Sequence, residues 1–163
     1  MGRRVKETEL LELYDQCSNM VYRIAFSYLR QSHDAEDAVQ SVFMKLIEGK
    51  AQPIAGKERA FLTQITVNYC KDILRSGWKQ RTQPLDDTIK FEQQEDSELF
   101  YAVMTLPDKL RIVVHLHYYE GYSFSEIASF LRTSTSAVSM RLHRARKLLK
   151  SNLLEEYCHE AQF

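Results

Sequence analysis

The residues whose types and spacing could do chemistry lie mainly in one basic segment near the C-terminal end of the 163-residue chain. Its cations are Arg141, Arg144, Arg146, Lys147 and Lys150, and no acidic residue occurs between Arg132 and Leu154. Guanidinium and ammonium groups bind nucleic-acid phosphates and release counterions from them. A cationic helix that follows a short helix and a tight turn is typical of proteins that bind the DNA major groove. The segment therefore predicts DNA binding.

The period of this helix predicts which side chains face the DNA. Its apolar stripe consists of Val138, Leu142, Ala145 and Leu149. At about 100° per residue, the opposite face is small and polar at its N-terminal end and cationic further on. The former part suits base edges and the latter suits phosphates. The residues expected near bases are Ser136, Ser139 and Met140, and those expected to contact phosphate are Arg141, Arg144 and Lys147.

Local signals predict the elements that hold this helix in place. Ser123 followed by Glu126 is a capping box that opens a short helix, and Ser134 can cap the basic helix. A preceding helix begins near Pro107 and ends at Gly121. These elements form a helix-turn-helix with one supporting helix. The apolar residues predicted to be buried in the supporting helix are Ile112, Val113, Leu116 and Tyr119.

The first half of the chain predicts three more helices. Apolar residues at the helical period extend over residues 10–31, and a second helix restarts with Ser32 or Asp34 as its cap. A third helix is predicted over residues 59–75. The residues predicted to be buried in the third helix are Phe61, Leu62, Ile65, Tyr69 and Ile73.

These patterns predict an all-α fold with two small helical domains, over residues 5–77 and 99–154. Residues 78–98 lose the periodicity and predict a flexible acidic linker. The formal net charge is zero, yet the charges are segregated. Residues 57–83 are mainly basic and residues 84–108 mainly acidic, which suggests separate partners for separate segments.

Several classes of protein are disfavoured by the composition. No apolar run approaches the roughly 20 residues that span a bilayer, and the N-terminal segment lacks the apolar core of a signal peptide, so we expect a cytoplasmic protein. The three cysteines are scattered singly, which predicts reduced thiols. His115 and His117 lie two residues apart, which puts their rings on different faces of a helix, so we expect no metal site and no cofactor. No Ser-His-Asp order, HExxH motif or phosphate-binding glycine loop occurs, so we expect no enzyme.

Two sets of motifs match one known family over residues 10–149. Residues 34–40 read Asp-Ala-Glu-Asp-Ala-Val-Gln, and residues 61–75 carry Asn68 in a helix that begins with an aromatic residue. Further motifs are Leu106-Pro107, Glu120-Gly121, Ser125-Glu126-Ile127-Ala128 and Arg141-Leu142-His143-Arg144-Ala145-Arg146. The first set resembles region two of bacterial extracytoplasmic-function sigma factors, and the second resembles their region four.

The resemblance implies a specificity subunit that binds core RNA polymerase and directs initiation at a stress- or signal-responsive set of promoters. The basic helix would then bind the minus-thirty-five element. The resemblance also implies an anti-sigma factor as a partner, and we expect the free chain to be monomeric. The implied polymerase contacts are Asp37 and Gln40, and the implied minus-ten contacts are Phe61, Asn68, Lys71 and Arg75.

The chain departs from the family pattern at four positions. Phe61 replaces a usual Trp but remains aromatic, and Ser41 replaces a frequent Glu in the implied polymerase contact. Arg30 and Arg132 stand where Gly is frequent. Arg132 would have to fill a turn position that favours left-handed geometry, at some cost in free energy.

A stand-alone dimeric helix-turn-helix regulator is the alternative interpretation. It explains the C-terminal half equally well but gives no role to the basic middle block or to the acidic segment. Such a regulator would be dimeric and would protect a palindrome by itself, whereas a sigma-like chain would require polymerase.

Overall fold

A computed structural model describes residues 5–76 and 97–160, and each of these ranges forms a compact unit, here named unit 1 and unit 2. Every regular element in the described ranges is a helix, which confirms the all-α prediction. Most of the predicted acidic linker, residues 78–98, lies outside the described residues.

Unit 1 is a three-helix unit made of α1 (Glu7–Leu29), α2 (Ser32–Ile47) and α3 (Glu58–Ser76). All three helices pack on one another, and only Arg30 and Gln31 separate α1 from α2. The Tyr14 ring packs edge-on against Phe43, with centroids 4.9 Å apart. Fully buried residues of the core include Val21, Ile24, Ala35, Val42, Leu62 and Val67.

The turn between α1 and α2 depends on a left-handed arginine. Arg30 has φ 63° and ψ 10°, and its N–H donates to the Phe26 carbonyl oxygen at 2.9 Å. Gln31 is extended and its carbonyl accepts from Ala35, so α2 begins at Ser32 with no side-chain cap. The expectation that Ser32 or Asp34 caps this helix is therefore wrong. The backbone reversal at Arg30 already aligns the first turn of α2.

The buried face of α3 differs from the predicted one. Of the five residues expected in the core only Leu62 is buried, and the others are half-buried. Thr63 and Thr66 are completely buried instead, because their hydroxyls donate to the carbonyls of Arg59 and Leu62 within the helix. A threonine whose hydroxyl is satisfied in this way buries its methyl group at little cost. Because the buried face of α3 is centred on these threonines, Phe61 lies at its edge and is half-buried.

Unit 2 contains α4 (Ser97–Met104), α5 (Asp108–Val114), a π-helix (His115–Tyr119), α6 (Phe124–Leu131) and α7 (Thr135–Glu160). Arg111 is 1% exposed and ties the start of α5 to the preceding turn. Its guanidinium donates to the Leu106 carbonyl at 2.9 Å and to the Asp108 carboxylate at 2.6 Å. The turn before α5 is thus fixed by a buried charge with satisfied donors.

The π-helix changes which residue of this segment is buried. Tyr119, predicted to be buried, is 46% exposed, whereas Glu120 is 4% exposed. In a π-helix each backbone N–H bonds to the carbonyl five residues earlier, so a turn holds about one more residue than in an α-helix. Position 120 therefore takes the buried place that an α-helix would give to position 119. The Glu120 carboxylate then meets His115 Nε2 at 3.1 Å, and the His115 ring stacks on Tyr119.

We predict that Arg132→Gly raises the free energy of unfolding of unit 2. Arg132 has φ 53° and ψ 51° at the turn between α6 and α7, a region that costs a residue with a Cβ about 1 kcal/mol. Urea unfolding and hydrogen exchange of the α6 and α7 amides would measure the gain. Arg132→Ala retains the Cβ and serves as control, and an equal gain in that variant would contradict the backbone explanation.

The cysteines of unit 1 are buried and carry free thiols. Cys17 is 7% exposed and Cys70 is completely buried, and burial raises the pKa of both thiols. The side chain of Cys158 lies outside the described residues.

None of the helices in the described ranges combines the length and the apolarity needed to cross a bilayer.

Candidate nucleic-acid interface

The capping signals predicted from the sequence position both helices of the helix-turn-helix. Ser123 Oγ accepts from the Glu126 N–H at 3.2 Å, and Glu126 Oε2 accepts from the Ser123 N–H at 3.0 Å. Ser134 Oγ accepts from the Ala137 N–H at 3.1 Å and so caps α7. Each cap satisfies donors that would otherwise lack partners in a first helical turn. Both helix starts are therefore confirmed.

An apolar seam holds α7 against the rest of unit 2. Val138, Leu142 and Ala145 are almost completely buried, while Leu149 is half-buried. The residues of α6 that share this interior are Ile127, Ala128 and Leu131. The seam determines which face of α7 remains accessible.

The accessible face of α7 carries the predicted DNA-binding side chains. Ser136, Ser139, Met140, Arg144 and Lys147 are exposed. Arg141 is half-buried, and at the helical period it lies beside the seam. Within the described residues none of the three predicted phosphate ligands forms an ion pair. Their charge is therefore available to an external anion.

Arg146 differs from the other cations of α7. Its Nε donates to the Tyr118 hydroxyl at 2.7 Å, and its Nη2 donates to the same oxygen. The guanidinium also lies 5.6 Å from the centroid of the Tyr118 ring. The two residues lie 28 positions apart in the sequence, so helical periodicity could not have predicted this contact.

The four predicted minus-ten residues share one side of α3. Phe61, Asn68 and Lys71 are half-buried and Arg75 is exposed, and all four fall within about 80° around the axis, opposite the buried face. Arg75 approaches Asp72 at 3.7 Å, an exposed pair that contributes little. This side presents an aromatic ring, an amide and two cations along one line.

Gln64 belongs to the same side and was not singled out from the sequence. Its Nε2 donates to Asn68 Oδ1 at 3.0 Å, which fixes the orientation of the Asn68 amide. The spacing of four residues between two amides is the signal that could have found it. Asn68 therefore presents its amide in a defined direction.

The predicted polymerase-contacting residues share the outer face of α2. Gln40 is exposed, and half-buried Asp37 lies 3.7 Å from His33 Nε2. Met44 and Ile47 fall on the same face and are 46% and 51% exposed. Ile47 is the last residue of α2, where the chain leaves the helix. A mixed polar and apolar helix face of this kind suits a protein partner.

The two histidines near the π-helix have protein partners. His115 pairs with Glu120, and His117 Nδ1 lies 2.8 Å from the Tyr122 carbonyl oxygen. No group of three or more His, Cys, Asp or Glu residues suited to a metal ion occurs within the described ranges.

The fold and this interface define a helix-turn-helix transcription protein with a separate helical unit before it. Two family models match the chain: Sigma-70 region 2 over residues 13–80 and Sigma-70 region 4 over residues 97–149. These matches include both units. The chain therefore belongs to the extracytoplasmic-function sigma factors of RNA polymerase, which are transcription initiation factors and not enzymes.

Similar proteins agree with this assignment. The chain is 31% identical over 143 residues to the RNA polymerase sigma factor SigV of Bacillus subtilis, covering 83% of this chain and 85% of that protein. It is 30% identical over 149 residues to the ECF sigma factor SigM of Mycobacterium tuberculosis, covering 85% and 74%. The fold matches the sigma factor RpoE of Bartonella quintana, crystallised with the anti-sigma factor NepR, with TM-score 0.70, 20% identity and coverage of 90% and 95%.

Proposed function

We propose that the chain directs core RNA polymerase to two-part promoters, with α7 on the minus-thirty-five element and α3 on the minus-ten element. The observation that carries the proposal is the accessible face of α7, where Arg144 and Lys147 are exposed and form no ion pair with any residue that the structure describes. This face follows a turn that ends at Ser134, whose Oγ caps the first turn of α7. Small residues at its N-terminal end allow close approach to base edges, and the cations further on bind phosphates.

The side of α3 around Phe61 and Asn68 suits a promoter strand whose bases leave the stack. Unstacking costs a few kcal/mol, which aromatic contacts and amide hydrogen bonds can offset. Phe61 offers a partly exposed ring, and Asn68 offers an oriented amide. Lys71 and Arg75 continue along the same side and suit the phosphates of that strand.

The face of α2 with Asp37 and Gln40 is proposed as the contact with core polymerase. Its neighbours Met44 and Ile47 add exposed apolar area, which compensates for Ser41 where the family often has Glu. An anti-sigma factor is proposed as a further partner, supported by the similarity to RpoE in its complex with NepR. The genes controlled are proposed to respond to stress or to an external signal.

We predict that Gln40→Ala weakens the complex with core polymerase about three- to tenfold, the usual effect of removing a buried polar contact at an interface. Titration of labelled full-length chain with core polymerase would measure the dissociation constant. Lys45→Ala removes another exposed side chain of α2, about 140° around the axis, and should bind as the unchanged chain does.

Equal affinities for Gln40→Ala and for Lys45→Ala would contradict the proposed polymerase contact. No complex at all between the unchanged chain and core polymerase would favour a stand-alone regulator, which should then be dimeric in solution.

A further inference from the structure

One long-range polar tie connects the π-helix with the recognition helix. Tyr118 accepts two hydrogen bonds from Arg146, and the guanidinium lies near the face of its ring. Tyr118 is itself held in a segment with defined geometry. His115 pairs with Glu120, and His117 is hydrogen-bonded to the Tyr122 carbonyl. The tie thus connects α7 to a fixed point outside the helix-turn-helix.

The apolar seam determines which face of α7 is buried, and the hydrogen bonds between Tyr118 and Arg146 add a directional constraint to it. Hydrophobic contacts are not directional, whereas hydrogen bonds require both a distance and an angle. A guanidinium that presents two N–H groups to one oxygen restricts rotation of α7 about its axis. A small rotation would move Ser136 and Arg144 sideways in the groove, since both project from that axis.

We infer that Tyr118 is a positioning residue for the recognition helix and that Arg146 acts as its partner instead of as a phosphate ligand. The inference rests on the proposed function, because it concerns how α7 is presented to the promoter. It divides the cations of α7 into two kinds. Arg144 and Lys147 are available to DNA, while Arg146 directs its Nε and one terminal nitrogen to the Tyr118 hydroxyl.

The test compares the salt dependence of DNA binding among full-length variants. Each phosphate contact contributes about 0.9 to the slope of log affinity against log salt concentration. Arg146→Gln should therefore leave the slope unchanged, whereas Arg144→Gln should lower it by about 0.9. Both slopes can be measured on a mixed-sequence duplex, without knowledge of the promoter. A slope that falls equally in both variants would overturn the inference.

A second measurement reports positioning itself. With core polymerase, the ratio of affinities for a selected promoter and for the mixed-sequence duplex should fall about three- to tenfold in Tyr118→Phe, which loses the hydroxyl but keeps the ring. Arg146→Gln should lower this ratio similarly, and the two changes together should do little more than either one. Tyr119→Phe removes the neighbouring hydroxyl and is the matched control.

An unchanged ratio in Tyr118→Phe, or equal losses in Tyr118→Phe and Tyr119→Phe, would overturn the positioning role. If the unchanged chain selects no promoter with core polymerase, the proposed function fails. The slopes on the mixed-sequence duplex then still decide whether Arg146 contacts phosphate. Absence of any DNA binding would overturn both proposals.

Discussion

Replacing Arg141 and Arg144 together with alanine is expected to abolish transcription from the target promoter. Both side chains lie on the accessible part of α7, and loss of two phosphate contacts should lower the salt slope of promoter binding by about 1.8. Run-off transcription and binding titrations at several salt concentrations would measure the two effects. Because Arg141 is half-buried beside the seam and Arg144 is exposed, Arg144→Ala should have the larger effect of the single variants.

Lys109→Ala is the matched control for this experiment. Lys109 is an exposed cation of unit 2 on α5, outside the proposed interface. Its removal changes the net charge but should leave transcription and the salt slope as they are. Persistent transcription in the double variant would show that α7 is not the recognition helix.

His115→Ala is expected to lower the free energy of unfolding of unit 2 by about 2 kcal/mol, because the buried Glu120 carboxyl group loses its hydrogen bond with the imidazole. The variant also loses the ring that stacks on Tyr119. Urea unfolding followed by circular dichroism would measure the loss. Since the π-helix carries Tyr118, promoter discrimination should decline in the same variant.

A paired replacement separates the loss of the hydrogen bond from a general packing effect. His115→Leu combined with Glu120→Met removes both polar partners and keeps a similar volume, so it should recover most of the stability. Stability losses that simply add for the two sites would contradict the account of a coupled pair.

The helix-turn-helix was predictable because its signals are local. The Ser123–Glu126 capping box and the Ser134 cap each depend on residues three apart. The left-handed turn at Arg132 lies directly between the end of α6 and the start of α7, so it is also a local feature. Such signals are readable without the tertiary structure. The same holds for the accessible face of α7, which follows from a regular 3.6-residue period.

The sequence-based interpretation was wrong where a helix departs from the 3.6-residue period, and where polar residues are buried in place of apolar ones. The π-helix shifted the buried position from Tyr119 to Glu120, and two threonines with satisfied hydroxyls took the buried positions on α3. Contacts between residues far apart in the sequence could not be predicted. No spacing rule joins Tyr118 to Arg146, because that pair forms only when α7 packs against the rest of unit 2.

The most direct test of the sigma-factor function is run-off transcription by core RNA polymerase on a library of genomic fragments, with and without the purified chain. The account predicts transcripts that require the chain and whose promoters share two elements at a fixed spacing. A chain that yields no such transcripts, is dimeric, and protects a palindrome without polymerase would contradict it.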